Sequence, residues 1–255
     1  MLLAVDAGNT HTVFGLFDGG RLHADWRIAT RKEITADELG VLLMALFDRC
    51  DVEPSRVDGM IVSSVVPDLN DVLRAMGARY FGGEPILVGP GLKTGMAILY
   101  ENPHEVGADR IVNAVAAQER FGAPVIVLDF GTATTFDVVN AKGEYLGGVI
   151  APGLGVSAEA LFDKAARLHR VSIRPPSRVI GRHTEQSLQS GLFHGYVALV
   201  QGLVARIRNE LGTDAPVVAT GGLAPVFEPE LELLAAVDLQ LTLTGLRLLW
   251  ERNRP

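Results

Sequence analysis

The sequence predicts an α/β protein built from two similar halves, each containing a mixed β-sheet. Three observations lead to this fold class. Predicted strands alternate with helices, each half begins with a meander of three strands, and one short motif occurs twice. The motif is an apolar run that ends in Asp and is followed by a spacer and Gly, and its copies begin at Val5 and Leu128. Recurrence of several landmarks at one offset indicates an internal duplication.

The offset between the copies sets the predicted domain boundary. Asp6 and Asp129 are 123 positions apart, and the same offset pairs Gly8 with Gly131, Thr12 with Thr135, and Gly20 with Gly143. Gly122-Ala123-Pro124 reads as the junction. We therefore predict an N-terminal domain at residues 1–121 and a C-terminal domain at residues 122–255.

The first half contains recognisable start and stop signals. Asp18-Gly19-Gly20 is a hairpin turn. Thr35 and Glu38 form a predicted capping box that opens an amphipathic helix. Pro67 is typical of the first turn of the next helix. The predicted strands are Leu2–Val5, Thr12–Phe17, Arg21–Ile28, Val57–Val65 and Ile86–Val88, followed by a loop at 89–103 and a helix at Val106–Phe121.

The second half repeats this scheme. Its predicted strands are Val125–Asp129, Thr134–Asn140, Glu144–Ile150 and Val217–Ala219, and its predicted helices are Val156–Leu168, Thr184–Leu211 and the tail Leu241–Trp250. Ala151-Pro152-Gly153 is predicted to break the third of these strands.

Composition limits the class of protein. The chain has 255 residues, of which 48% are hydrophobic, and a net charge of −7. An acidic chain is not expected to bind nucleic acid or an anionic membrane nonspecifically. No apolar run is long enough to span a bilayer, and we see no signal peptide. Cys50 is the single cysteine, which excludes an internal disulfide and fits a cytoplasmic location. The six histidines form no zinc motif.

The residue types of the two repeated turns indicate a phosphate-binding site. A strand that stops at Asp and turns through Gly gathers backbone N–H groups and small hydroxyls, which suits phosphate oxygens and their cation. Either copy alone could be an ordinary hairpin with an Asx-type turn. Repetition in register favours a phosphate site, because two matching hairpins that face each other form a cleft.

Five motifs together resemble the type III pantothenate kinases, which belong to the superfamily of actin, sugar kinases and Hsp70-type ATPases. They are D-A-G-N-T at Asp6–Thr10, G-A-D-R at Gly107–Arg110, D-F-G-T-A-T-T at Asp129–Thr135, G-G-V-I-A-P-G at Gly147–Gly153 and A-T-G-G-L-A at Ala219–Ala224. The resemblance covers essentially the whole chain and implies two ribonuclease H-like (actin-like ATPase) domains with a cleft between them. His183 departs from it, since the family more often has Asn at that position.

The resemblance also implies the ligands of the two hairpins. ATP would be bound by Asp6, Ala7, Gly8, Asn9, Thr10, His11, Thr12, Val13, Gly131 and Thr132. Asp6 would support the Mg²⁺ of ATP through water, because Mg²⁺ keeps several waters and uses few carboxylates. Asp129 would hold the monovalent cation, K⁺ or NH₄⁺, that members of the family require.

Asp109 is the catalytic base that the resemblance implies. From position alone it could simply be a first-turn Asp favoured by the helix dipole. Pantothenate would be bound by Tyr100, Gly107, Ala108, Asp109, Arg110 and Thr184. Each of the last two has a structural alternative, since Arg110 could be a surface charge and Thr184 the N-cap of the long helix.

The expected activity is ATP-dependent phosphorylation of pantothenate to 4'-phosphopantothenate, the first step of coenzyme A biosynthesis. A kinase for another hydroxy acid, a phosphohydrolase, and a non-catalytic accessory protein on the same fold are the alternatives. The resemblance also implies a homodimer. The helix Thr184–Leu211 supports a dimer because it is apolar on more than one side, although Leu241–Trp250 could cover its second side instead.

Overall fold

The computed structural model describes residues 1–164 and 170–254 and separates the chain into two compact units. Unit 1 contains Met1–Glu119 and Gln240–Pro255, and unit 2 contains Arg120–Leu239. The boundary near residue 120 lies close to the predicted one. The C-terminal segment differs from the prediction, since it belongs to unit 1 and not to the second half.

Each unit contains one five-stranded mixed sheet. The strands are β1 Leu2–Ala7, β2 His11–Asp18, β3 Arg21–Ala29, β4 Gly59–Ser64, β5 Ile86–Leu87, β6 Val125–Phe130, β7 Ala133–Val139, β8 Tyr145–Pro152, β9 Val217–Thr220 and β10 Leu234–Val237. Their orders are β3-β2-β1-β4-β5 and β8-β7-β6-β9-β10. In both sheets the first three strands form an antiparallel meander and the last two run parallel to the strand that starts it. The predicted duplication of mixed sheets is confirmed.

Seven α-helices and three short 3₁₀ turns connect the strands of the described residues. The helices are α1 Ala36–Asp48, α2 Pro67–Phe81, α3 Ala108–Phe121, α4 Leu154–Lys164, α5 Thr184–Leu211, α6 Ala224–Phe227 and α7 Leu241–Asn253; the turns are Pro54–Arg56, Pro103–Glu105 and Glu228–Glu230. Residues 165–168 of the predicted helix Val156–Leu168 lie outside the described residues. None of the described helices combines the length and apolar character needed to span a membrane.

The predicted signals at α1 and α2 are confirmed. Thr35 N donates to Glu38 Oε2 at 2.8 Å, and Glu38 N donates to Thr35 Oγ1 at 3.2 Å, which completes the capping box. Pro67 is the first residue of α2. The two helices cover one face of the first sheet with an apolar core that includes Leu43, Phe47 and Leu73.

Helix α7 packs on the first sheet, which is why the C-terminus belongs to unit 1. A Cβ added to Gly59 of β4 would lie 2.0 Å from the Trp250 ring, and one added to Gly15 of β2 would lie 2.9 Å from Leu243. These glycines leave room for the α7 side chains. The apolar face of α7 is therefore used inside unit 1, which a one-dimensional pattern could not show.

The core of unit 2 forms around α5, whose bounds match the prediction. The helix buries Phe193, Tyr196, Val200 and neighbouring valines, and its aromatic rings pack with Phe227. Strand β8 continues through Pro152, although a break was predicted from Ala151. It is an edge strand, so the missing N–H of proline removes no ladder bond that the sheet needs.

Candidate active site

The first hairpin turn is tight and presents polar side chains. Gly8 N donates to His11 O at 3.0 Å, and a Cβ on Gly8 would lie 3.0 Å from the same oxygen. Asn9, Thr10 and His11 are exposed, whereas Asp6 at the end of β1 is half-buried. A tight turn with exposed polar residues beside a carboxylate is suited to phosphate oxygens and a cation.

Thr30 supports this turn, although no sequence motif points to it. Its Oγ1 donates to Gly8 O at 2.7 Å and lies 2.9 Å from Thr12 Oγ1, and its backbone N–H donates to Thr10 O at 3.0 Å. Thr30 follows β3 directly, so only the pairing of β3 with β2 brings it to the turn. Thr12 is buried, and its hydroxyl is hydrogen-bonded to that of Thr30, so it helps to hold the turn in place.

The second hairpin turn is enclosed by glycines from two other strands. A Cβ on Gly153, after β8, would lie 2.1 Å from Thr132 O. A Cβ on Gly221, after β9, would lie 2.5 Å from Asp129 Oδ1, and the φ of Gly221 is +90°. These contacts explain why two of the later motifs contain glycine at those positions: no side chain fits against the turn from Asp129 to Thr132.

Tyr196 of α5 lies against the second hairpin. Its hydroxyl is hydrogen-bonded to Thr134 Oγ1. Burial raises the pKa of Tyr196 to about 12, and the negative charge of Asp129 adds to the rise. Tyr196 is therefore a neutral hydroxyl near the Asp129 carboxylate. The sequence analysis placed this position only within the long apolar helix and assigned it no role in the site.

The two hairpins differ in register by one residue. Asp6 pairs with Val13, whereas Asp129 pairs with Thr135. Ala7 pairs with Thr12 and Phe130 pairs with Thr134, so Thr134 is the counterpart of Thr12. The pairing of Thr12 with Thr135 by sequence offset is corrected, because the second turn is one residue shorter. Thr135 Oγ1 instead donates to Asp137 Oδ2 at 3.1 Å.

The next turns along the two meanders differ as well. Gly19 and Gly143 have positive φ values of 57° and 76°, while Gly20 does not. The pairing of Gly20 with Gly143 by offset therefore does not describe equivalent backbone positions. Asp18 pairs with Arg21 across a two-residue turn, and the second meander uses a longer loop.

Asp109 lies in the first turn of α3, as predicted. Arg110 N donates to its Oδ1 at 2.8 Å, which orients the carboxylate. A Cβ on Gly107 would lie 2.6 Å from the same oxygen, so glycine is needed there to leave the carboxylate in place. Burial raises the pKa of Asp109, and the hydrogen bond from Arg110 N only partly opposes this effect. A carboxylate with a raised pKa is a stronger base than an exposed Asp.

The other members of the predicted pantothenate set have different surroundings. Arg110 is 7% exposed, so it is not the surface charge that the position alone allowed. Tyr100 is half-buried in the loop before the Pro103–Glu105 turn. These two residues and Gly107–Asp109 all belong to unit 1.

Thr184 is the first residue of α5 in unit 2 and is exposed. It is not the N-cap that the structural alternative assigned to it. His183 is the cap, because its backbone is extended and its Nδ1 accepts from Gln186 N at 3.5 Å. The hydroxyl of Thr184 is therefore not used for capping.

The described residues, 1–164 and 170–254, contain no group of three or more His, Cys, Asp or Glu that could form a metal cage. Asp6 and Asp129 each present a half-buried carboxylate beside a hairpin turn. Such sites fit cations that arrive with phosphate ligands, since Mg²⁺ is usually bound by one or two carboxylates, waters and substrate phosphates.

Comparison with known proteins places this chain in a family. A sequence model of the type III pantothenate kinase family matches residues 2–206. The chain is 54% identical over 254 residues to the type III pantothenate kinase of Anaeromyxobacter sp. (strain K), with 100% of both chains covered. It is 52% identical over 264 residues to that of Koribacter versatilis, with 100% of this chain and 96% of the relative covered.

A solved structure extends the likeness to the fold. The inorganic polyphosphate/ATP-glucomannokinase of Arthrobacter sp. strain KM superposes with a TM-score of 0.51 at 14% identity, covering 97% of this chain and 96% of that one. At this identity the comparison supports the fold alone. It agrees with the duplicated mixed sheets predicted from the sequence.

Proposed function

This chain belongs to the type III pantothenate kinase family, and from that premise we propose how its residues phosphorylate pantothenate. The enzyme transfers a phosphoryl group from ATP to the primary hydroxyl of pantothenate and uses a divalent cation. This is the first step of coenzyme A biosynthesis. The half-buried carboxylate of Asp109 at the start of α3, whose pKa is raised by its partial burial, is the observation that supports the mechanism most directly.

Asp109 acts as the general base. It orients the attacking hydroxyl and accepts its proton as the phosphoryl group is transferred. A base works best when its pKa approaches the working pH, and burial raises the pKa of Asp109 in that direction. Phosphoryl transfer needs little covalent chemistry from the protein, so a positioned carboxylate is sufficient. The bond from Arg110 N holds this carboxylate in one orientation.

The first hairpin binds the phosphates of ATP. Residues 6–13 supply the backbone N–H groups and polar side chains, and the exposed Asn9 and Thr10 are the donors at the tip. Asp6 holds the divalent cation through water. When bound, this cation neutralises charge on the phosphates. Thr30 keeps the turn rigid, because it bonds both Gly8 O and the Thr12 hydroxyl.

The second hairpin provides Gly131, Thr132 and Asp129. Thr132 contacts ATP, and Asp129 binds a monovalent cation, K⁺ or NH₄⁺. The enclosure of the turn by Gly153 and Gly221 supports this role, because it holds the carboxylate and the backbone carbonyls in fixed positions. Oxygen ligands of this kind suit a cation, and the neutral hydroxyl of Tyr196, which is bonded to Thr134, belongs to the same surroundings.

Pantothenate is bound by Tyr100, Gly107, Ala108, Arg110 and Thr184 together with the base. Arg110 pairs with the pantothenate carboxylate, for which its planar guanidinium is suited. Its burial favours this role, since a largely desolvated guanidinium gains most from an anionic partner. The exposed hydroxyl of Thr184 is available for a ligand because His183 caps the helix.

The active form is a homodimer built around α5. Gly191 and Gly195 are exposed, and a Cβ on either would have no atom within 4 Å. Four leucines beside them remain only half-buried, Leu188, Leu192, Leu199 and Leu203. Helix α7 was the alternative cover, but its apolar face packs on β1, β2 and β4. A second copy is the simplest remaining cover for an apolar helix face.

Light scattering across a dilution series tests the dimer. We expect twice the chain mass of 27.3 kDa for the unmodified protein. Gly195→Arg should give monomers, and Gly83→Arg, at a glycine with equally open space in unit 1, should not. A fully active 27.3 kDa particle at high concentration would exclude the dimer.

ADP release with and without added pantothenate tests the function. We expect release that depends on pantothenate and is negligible with water alone as the acceptor. Equal ADP release without pantothenate would favour the phosphohydrolase alternative.

We place the enzyme in the cytoplasm, because ATP is a cytoplasmic substrate, and we propose no nucleic-acid or membrane partner.

A further inference from the structure

Strand β4 carries a buried hydroxyl that no described group satisfies. Ser63, one residue before the end of the strand, is 0% exposed, and its Oγ has no hydrogen-bond partner among the described residues. Leaving a buried hydroxyl unpaired costs free energy, so an alanine would be the more stable choice here. Unsatisfied buried polar groups are rare in native folds, so this one calls for an explanation.

The strand register places Ser63 beside Asp6. The two are Cα partners in the parallel pairing of β1 with β4. Neighbouring strands are roughly 4.7–4.9 Å apart, and side chains of partnered residues extend from the same face of the sheet. Val5 and Val62, the preceding residues, lie in the core that α1 and α2 cover. Asp6 and Ser63 therefore share the opposite face.

Contacts of the same strand confirm that face. Gly59, four residues before Ser63, meets the Trp250 ring of α7. Alternate residues of a strand share one face, so Gly59 and Ser63 lie on the α7 side. Ser63 lies further along the strand, level with the Asp6 carboxylate, one residue before the end of β1.

We propose that Ser63 is a positioning residue for Asp6, an inference that rests on the proposed role of Asp6 in binding Mg²⁺–ATP. When the nucleotide binds, the Ser63 hydroxyl donates a hydrogen bond to the Asp6 carboxylate and holds it in the orientation that the cation's waters require. Hydrogen bonds to an ionised carboxylate are stronger than neutral ones. Residues that orient a metal-binding carboxylate affect metal affinity without touching the metal. The hydroxyl thus has no partner among residues 1–164 and 170–254 of the ligand-free protein, and it gains one in the complex.

Ser63→Ala tests this inference through two readouts that move in opposite directions. The thermal midpoint of the ligand-free protein should rise by about 2–4 °C, because an unsatisfied hydroxyl is removed. The Kd for ATP in the presence of Mg²⁺, measured by calorimetry without pantothenate, should rise about 3- to 10-fold. ATP binding in EDTA should be the same for both proteins. Ser63→Cys, which keeps the volume and a weak donor, should fall between them.

Ser64→Ala is the matched control. Its hydroxyl is already used, since it donates to Val66 O at 3.1 Å and accepts from Val66 N at 3.2 Å. The control should lower the ligand-free midpoint and leave the Kd for Mg²⁺–ATP unchanged.

The outcomes separate the inference from the proposal beneath it. A lower ligand-free midpoint for Ser63→Ala, or an unchanged Kd for Mg²⁺–ATP in both Ser63 variants, would overturn the role of Ser63 alone. If the unmodified protein bound ATP equally well in Mg²⁺ and in EDTA, the role of Asp6 would be lost, and the inference with it.

Discussion

The two β-hairpins, β1–β2 in unit 1 and β6–β7 in unit 2, share a strand scheme and differ in how their turns are held. The first turn is braced from behind by the Thr30 hydroxyl and leaves Asn9 and Thr10 exposed. The second is one residue shorter and is pressed by Gly153 and Gly221. A duplicated scaffold has thus acquired two kinds of turn, one open and polar and the other enclosed.

This difference suggests a division of labour. An open turn with polar side chains can adapt to the phosphates of a nucleotide. An enclosed turn, with Asp129 held among backbone groups and near a neutral Tyr196 hydroxyl, is better suited to select a cation by fixed oxygen positions. Unit 1 also carries Asp109 at the start of α3. Substitutions in each turn, and of the base in unit 1, test this division.

The base is expected to show the largest effect. Asp109→Asn removes a proton acceptor but keeps the shape of the side chain and its bond from Arg110 N. A positioned base contributes about 10²–10⁴-fold, so kcat should fall by that factor with ATP binding unchanged. Glu119→Gln, an exposed carboxylate on the same helix, is the control and should be near normal. Turnover of Asp109→Asn close to that of the control would remove Asp109 as the base.

Asp129→Ala should abolish most activity together with any preference for K⁺. In the unmodified enzyme, replacing Na⁺ by K⁺ or NH₄⁺ at constant ionic strength should raise the rate strongly. The reason is that the enclosed second turn holds its oxygens at fixed positions. Asp214→Ala, an exposed carboxylate of unit 2, should keep the cation response. Equal rates of the unmodified enzyme in Na⁺ and K⁺ would contradict the division of labour.

Alanine at the turn-facing glycines compares the enclosed and open turns directly. In Gly153→Ala the new Cβ would lie 2.1 Å from Thr132 O, whereas in Gly8→Ala it would lie 3.0 Å from His11 O. In Gly153→Ala the backbone of the second turn must move to make room for the methyl group, whereas in Gly8→Ala a shift of a few tenths of an ångström is enough. We expect Gly153→Ala to lower the free energy of unfolding by about 1–3 kcal/mol, and Gly8→Ala by clearly less. Urea denaturation measures both, and a larger loss for Gly8→Ala would reverse our reading of the turns.

The acid limb of the pH profile reports on Asp109. The base must be ionised to act, and burial raises its pKa. Activity is therefore lost as pH falls through this raised pKa, so the midpoint of kcat/KM should lie above the value of about 4 for an ordinary Asp. The measurement is the pH dependence of kcat/KM for pantothenate at saturating concentrations of ATP and cation. A limb at or below pH 4 would show that burial does not tune this group.

The hydroxyls that brace the two turns should give the smallest effects. Tyr196→Phe removes the hydroxyl that is bonded to Thr134 Oγ1. Thr30→Val removes the hydroxyl that is bonded to both Thr12 Oγ1 and Gly8 O. Each should cost about 0.5–1.5 kcal/mol of stability, which is the net contribution of a typical hydrogen bond. The kinetic signatures should differ: Thr30→Val raises KM for ATP, and Tyr196→Phe raises the K⁺ concentration for half-maximal activity. If both variants changed the same kinetic constant, the proposed difference in function between the two turns would be wrong.

Local pattern was sufficient for most elements of the fold. The capping box at Thr35, the start of α2 at Pro67 and the bounds of α5 were all predicted, because each depends on residues close in sequence. Strand β10 was not predicted. It is a short edge strand in a segment of mixed polarity, and its pairing with β9 gives it its structure.

Local signals predicted the duplication, the mixed sheets and the motif residues, because apolar runs that end in Asp and Gly carry their own strand and turn signals. Other features depend on the tertiary structure. It showed that Thr134 is the counterpart of Thr12, because register depends on turn length. It assigned α7 to unit 1. It also brought Thr30 beside the first turn and Ser63 beside Asp6, because strand pairing joins residues that are distant in sequence.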